Sequence, residues 1–157
     1  ARRRVDSSAQ QYRLRPARRE DESTIQRMVR DAQLNPFGLK WERFTVAVDP
    51  AGDIVGCIQL KSHGDGSQEL ASLVVDEGWR GKGIASALVD AVKEQADGTL
   101  WLMCASQLAP FYEQFYFLRV MDRSKMPPYF RRIHLLVRLL GIFTGGNDRL
   151  AIMRWQP

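Results

Sequence analysis

The stretch 69–96, ELASLVVDEGWRGKGIASALVDAVKEQA, constrains the fold of this 157-residue chain more than any other. Leu70, Leu73, Val74 and Val75 make a short apolar β run. Asp76, Glu77 and Gly78 break it. Arg80-Gly81-Lys82-Gly83-Ile84-Ala85 then opens a helix. Its Ile84, Ala87, Leu88, Ala91 and Val92 recur at i, i+3, i+4, i+7 and i+8 as one apolar stripe, and Gly98 is expected to cap its end. A strand that turns through glycines into a helix makes an anion site. The first amides of a helix have no internal acceptor, and the helix dipole puts about half a positive charge there. Gly81 and Gly83 let a ligand approach the backbone, and Arg80 and Lys82 add full charges. The expected guest is a phosphate or pyrophosphate. The Walker pattern is absent, and a dinucleotide fingerprint fails because Ser86 stands where its third glycine belongs.

Around this unit the sequence reads as alternating short elements. Residues 12–15 alternate as a first strand that Pro16 ends. Asp21 or Ser23 caps a helix with an apolar face of Ile25, Met28, Val29 and Ala32, stopped by Asn35-Pro36-Phe37-Gly38. Residues 34–44 read as a loop or short helix over the core. Strands at 44–48 and 54–60 flank a hairpin turn at 49–53, and a second turn at 61–68 leads into the strand 69–75. Residues 99–104 (TLWLMC) suit a buried strand parallel to 69–75 through the helix crossover. Two such strands, if they splay, leave a crevice at their C-terminal ends, where ligands of α/β sheets bind. Residues 106–117 read as a short helix with Pro110 in its first turn, followed by a strand at 117–121. Residues 129–143 fit a helix with apolar positions 133, 136, 137 and 140. That helix packs on its own domain or, because it carries Arg131, Arg132 and Arg138, lies on a membrane surface or a partner. Residues 145–148 turn the chain into a closing strand at 149–155. The expected organisation is a disordered lead, 1–11, and a single α/β domain, 12–157.

The strand, the hexapeptide and the amphipathic helix together resemble the GNAT superfamily of acyl-CoA N-acyltransferases. Its signature is Gln/Arg-x-x-Gly-x-Gly/Ala after an apolar strand, and here it is Arg80 to Ala85 after Leu73, Val74 and Val75. The resemblance spans 12–121, with the last strand beyond. It implies a mixed, mostly antiparallel sheet splayed between strands 4 and 5, with helices on both faces, and acetyl-CoA as co-substrate. It also implies that the backbone of Leu73, Val74 and Val75 pairs with the pantetheine arm. Arg80, Gly81, Lys82, Gly83, Ile84, Ala85 and Ser86 then hold the CoA pyrophosphate, and residues 34–44 form a wall of the acceptor pocket.

FYEQFYF (111–117) resembles a further family segment and places Tyr112 as the general acid for the leaving sulfur. The alternative is an aromatic packed at a helix edge. Two positions depart from that segment: Tyr116 stands where a glycine is usual, and Ala105 where an asparagine is frequent. Glu69 is the candidate base. Strand alternation puts it on one face with Ala71, Leu73 and Val75, and some family members place their base on this strand. The alternatives are a solvated strand end and a water-relayed base. Cys104 reads as a core residue in preference to an acyl-cysteine nucleophile, and His63 as a solvated loop residue. The reaction implied is direct transfer of acetyl from acetyl-CoA to a primary amine: a small amine or amino acid, or a protein lysine or N-terminus. LNPFGL (34–39) with ELASLVV also resembles the acetyltransferase domain of N-acetylglutamate synthases, which favours an amino acid. A non-catalytic CoA-binding module, regulatory or scaffolding, is the alternative.

Charge distribution narrows the partners. Residues 1–19 hold seven arginines and one aspartate, and residues 119–138 hold five arginines, one lysine and one aspartate. Between them lie eight basic and fifteen acidic residues, so no uniform nucleic-acid surface is indicated. No apolar run reaches membrane-spanning length. Cys57 and Cys104 in apolar runs read as reduced core thiols of an intracellular protein, and no His/Cys/Asp spacing suggests a metal. The Arg/Ser/Ala lead is compatible with the tail of a plastid or mitochondrial transit peptide; a cytoplasmic protein and a homodimer are equally compatible.

Overall fold

The computed structural model describes residues 11–144 and 150–157. The lead expected before Gln11 and the turn at 145–148 lie outside the described residues. Seven strands form one sheet: β1 (Arg13–Pro16), β2 (Phe44–Val48), β3 (Ile54–Ser62), β4 (Gln68–Val75), β5 (Leu100–Ala105), β6 (Leu118–Arg119) and β7 (Leu150–Trp155). Their order is β1-β2-β3-β4-β5-β7-β6. The pair β4–β5 is parallel, with Gln68 opposite Leu100 and Glu69 opposite Trp101. The pairs β1–β2, β5–β7 and β6–β7 are antiparallel. The helices are α1 (Glu22–Asp31), α2 (Ile84–Gln95), α3 (Ala109–Glu113) and α4 (Pro128–Thr144). The mixed α/β class and the crossover through α2 are as the sequence predicts.

Two compact units share these elements. The first comprises the described part of Ala1–Ile58 with Ser72–Ala91. Its core joins Ile25 and Val29 of α1 to Phe44, Val46, Val48 and Cys57. Neighbouring Gly56 points the other way. A Cβ there would meet Ile84 Cγ2 at 3.1 Å and Leu88 Cδ1 at 3.3 Å. Successive strand residues face opposite sides, so α1 and α2 cover opposite faces of β3, and Gly56 lets α2 approach.

The second unit comprises Gln59–Ala71 and Val92–Pro157. Its core joins Trp101 and Ile152 to Val120, Met126 and Phe130.

Several details differ from the sequence reading. The α1 helix ends at Asp31, short of Asn35, and Gln33 just past it has φ +56. Leu34 N–H donates to Val29 O and Gln33 N–H to Arg30 O, the paired bonds of a left-handed helix cap. Ala32 therefore lies past the helix and is exposed. Asp21 precedes α1 without capping it. Its carboxylate instead accepts from both Arg15 Nη atoms, at 2.7 and 3.1 Å, and from the Arg18 N–H. Gly98 has no left-handed backbone and follows the end of α2 by three residues. In α4 the inward line is Phe130, Ile133, His134 and Val137; Leu136 and Leu140, expected inside, are exposed.

Candidate active site

In the first unit, β4 runs into the predicted phosphate loop. Ser72 has φ +57, a left-handed residue that bulges the strand, and Cys57 Sγ donates to its carbonyl at 3.6 Å. The strict alternation expected from Glu69 to Val75 therefore fails at Ser72. Ala71 through Val75 are all half-buried, with no in–out pattern.

A 3₁₀ turn, Glu77–Trp79, leads to the glycines. Gly81 and Gly83 have φ +76 and +81, a conformation that only glycine adopts without strain. A Cβ on Gly81 would meet nothing within 4 Å. Arg80 Nε donates to Val75 O at 3.3 Å, tying the loop to the end of β4. Lys82 Nζ lies 5.8 Å from the Trp79 ring centroid. Arg80, Gly81, Lys82, Gly83 and Ser86 are exposed and Ala85 is half-buried, but the Ile84 side chain is core. Ile84 can therefore offer a ligand only its backbone. Tyr12, which the sequence reading passed over, donates its hydroxyl to Gly83 O at 3.2 Å and steadies the loop from the chain's start.

In the second unit, Glu69 is the second residue of β4 and is only 2% exposed. That overturns the reading of a solvated strand end. Its Oε1 lies 2.8 Å from His63 Nε2. Burial raises its pKa, while the His63 bond and the Lys61 charge oppose the rise. His63 is accordingly no solvated loop residue. Its side chain is 13% exposed, and its ring stacks on Tyr129 with centroids 3.5 Å apart. Asp65 accepts the Tyr129 N–H, which fixes the start of α4 over this pair. The missed signal was the hairpin: His63 N–H donates to Ser67 O, which brings residues either side of the turn together.

Tyr112 is in α3, two residues after Pro110 in the first turn. Phe117 N–H donates to Tyr112 O and Tyr116 N–H to Glu113 O, again the paired bonds of a left-handed cap. The left-handed residue is Tyr116, φ +67, where the resembled segment has glycine. The Tyr112 and Phe117 rings lie edge-on at 6.3 Å. Burial, with Cys104 nearby, pushes the Tyr112 phenol up to about 12, so it keeps its proton at neutral pH. Burial also pushes Cys57 up to about 12 and Cys104 up to about 11. Neither thiol is a ready nucleophile.

Residues 40–117 match the family described as the acetyltransferase (GNAT) domain. The chain carries a GNAT acetyltransferase domain. Its fold is shared with solved structures of low sequence identity. An N-acetylglutamate synthase from Neisseria gonorrhoeae, complexed with coenzyme A and N-acetyl-glutamate, superposes with TM-score 0.71 at 16% identity. The match covers 93% of this chain and 35% of that one, so the present GNAT chain spans about a third of the synthase. Rv2747 from Mycobacterium tuberculosis, in complex with CoA and NLQ, gives TM-score 0.71 at 21% identity over 92% of this chain and 99% of that one. A GNAT-family acetyltransferase from Staphylococcus aureus Mu50 gives 0.67 at 19% identity, over 93% and 99%. No curated protein matches the sequence.

Proposed function

We propose that this GNAT domain transfers the acetyl group of acetyl-CoA directly to a primary amine. The observation that carries the reading is the loop after β4, where exposed Arg80 and Lys82 alternate with left-handed Gly81 and Gly83 just before α2. Such a loop presents helix-terminal amides and two cations to a pyrophosphate. Leu73, Val74 and Val75 pair with the pantetheine arm through their backbone. The amine nitrogen attacks the thioester carbonyl and forms the new C–N bond. The C–S bond breaks, Tyr112 gives its proton to the departing thiolate, and Glu69 takes the proton lost by the amine. Glu69 has the features of such a base: burial raises its proton affinity, and His63 holds it.

The acceptor is a small amine or amino acid in preference to a protein lysine. The support is the likeness to the two structures that hold N-acetyl-glutamate and NLQ. Two features motivate the alternative of a non-catalytic module, Tyr116-Phe117 in place of the usual Gly-Phe and the basic helix at 129–143, but Tyr116 keeps the helix-capping geometry beside Tyr112.

Tyr112→Phe tests the assignment. Acetyl transfer is expected to fall by about 10²–10⁴-fold in kcat, with CoA affinity retained. A variant with full activity would remove the acid role; wild type that binds CoA but turns over no amine would favour the module.

A further inference from the structure

The charge of the C-terminal segment is not used by the proposed reaction. Residues 123–147 contain four arginines and one lysine and no acidic residue. Arg123, Arg131, His134 and Arg138 line one open cleft of about 540 Å³, with Asp122 and Ser124. On α4, residues 131, 134 and 138 recur at i, i+3 and i+7 and share a face. Among the described residues, two buried nitrogens of this cleft, Arg123 Nε and His134 Nδ1, have no hydrogen-bond partner. A buried polar atom without a partner is uncommon and costly, and it calls for a partner such as a water or an ion. The geometry of the cleft is otherwise set. Arg131 Nε donates to Arg123 O at 3.2 Å and its Nη2 to Met126 O at 3.0 Å, so the guanidinium is fixed. The single acid, Asp122, is engaged in capping the 123–125 turn through Ser124.

We propose that this cleft is a phosphate-binding site, held by Arg123, Arg138 and His134 beside the fixed guanidinium of Arg131. Three guanidiniums in one cleft repel one another, and an anion relieves that repulsion. Phosphate is favoured over carboxylate because its larger charge and several oxygens match more than one guanidinium fork. The His134 imidazole also fits this role: burial and the charges of Arg123 and Arg138 lower its proton affinity, and a bound anion reverses that field.

The phosphate can come from a free metabolite or from a lipid headgroup. Leu135, Leu136, Leu139 and Leu140 are exposed along the same helix, as an interfacial helix requires. No helix among the described residues is long and apolar enough to cross a membrane.

The test titrates the full chain with inorganic phosphate by calorimetry. In parallel the chain is co-sedimented with phosphatidylcholine vesicles, with and without phosphatidic acid. Wild type, Arg138→Gln and Arg80→Gln are compared in both arms. Arg138 is exposed, so its replacement leaves the fold intact. Binding is expected in at least one arm and is weakened about tenfold or more by Arg138→Gln; any part lost in Arg80→Gln alone belongs to the glycine loop. Binding to phosphate identifies a free ligand, and binding only to phosphatidic acid vesicles a lipid headgroup. No binding in either arm overturns the proposal, as does equal binding by Arg138→Gln. Loss through Arg80→Gln alone also overturns it, by moving the phosphate to the glycine loop. The outcome stands whether or not the chain transfers acetyl groups.

Discussion

Tyr116 shows how one residue can depart from a family pattern while the backbone does not. The cap that ends α3 needs a left-handed residue, and at φ +67 a tyrosine is strained where glycine is free. Its ring is 80% exposed, so little packing offsets that strain. Tyr116→Gly is therefore expected to stabilise the protein by about 1 kcal/mol against chemical denaturant. A loss of stability would show that the cation contact from Lys93, 5.6 Å from the ring, outweighs the strain. In the proposed reaction, Glu69 and Tyr112 set the pH dependence. A base must be ionised, and burial raises the proton affinity of Glu69, so kcat should fall on the acid side above the ordinary carboxylate value of 4.5. The Tyr112 phenol, pushed up to about 12, should give no alkaline loss below pH ~10. Glu69→Gln should lower kcat by about 10²–10⁴-fold and abolish the acid limb. An acid limb that survives this change would move the base to a water relay or to His63.

Among the elements, those read correctly announce themselves locally. The β4–loop–α2 unit combines an apolar run, left-handed glycines and a 3.6-residue stripe in consecutive residues. The features missed depend on partners distant in sequence or on strained backbone. Nothing local marks Ser72 as a bulge, Gln33 as a left-handed cap, or Tyr12 as a tether to Gly83, 71 residues away, and at Tyr116 the one hint is the glycine usual in the resembled segment. His63 and Glu69 look like a loop histidine and a strand-end acid until the hairpin joins them and Tyr129 covers them. In α4, the apolar positions alone do not reveal which side faces the core, because they lie on both faces: Ile133 and Val137 on the packed one, Leu136 and Leu140 on the exposed one. Gly56→Ala tests the packing of α2 on β3. The added methyl meets Ile84 and Leu88 side chains and the Val74 carbonyl, 3.3 Å away, so a loss of about 1–3 kcal/mol is expected in denaturant unfolding. The tie between β1 and the start of α1 is electrostatic. Hydrogen bonds from Arg15 hold the Asp21 carboxyl below its ordinary value of 3.8. Its contribution is complete above that value and disappears as pH falls through the lowered one. Asp21→Asn should thus destabilise at pH 7 and flatten the acid end of the stability profile.

For the whole molecule, chemistry and charge divide along the chain. The segment matched to the GNAT domain, 40–117, holds Glu69, the glycine loop and Tyr112. The basic segment that follows holds the arginine cleft and the exposed leucines of α4. In the function proposed for this molecule, the loop at Arg80–Ser86 binds acetyl-CoA for transfer to an amine. Gly81 gives the sharpest test, because a Cβ there would touch nothing else in the protein, while it strains the left-handed loop and stands where a ligand meets the backbone, and both effects weaken binding at this loop. The measurement is thiol release from acetyl-CoA with a panel of amino acids, polyamines, arylalkylamines and short peptides, with CoA titrated calorimetrically into wild type and Gly81→Ala. Turnover with one acceptor class, and CoA affinity at least about tenfold weaker in Gly81→Ala, is the predicted result. No CoA binding by the wild type, or equal affinity in the variant, would rule out this role for the loop.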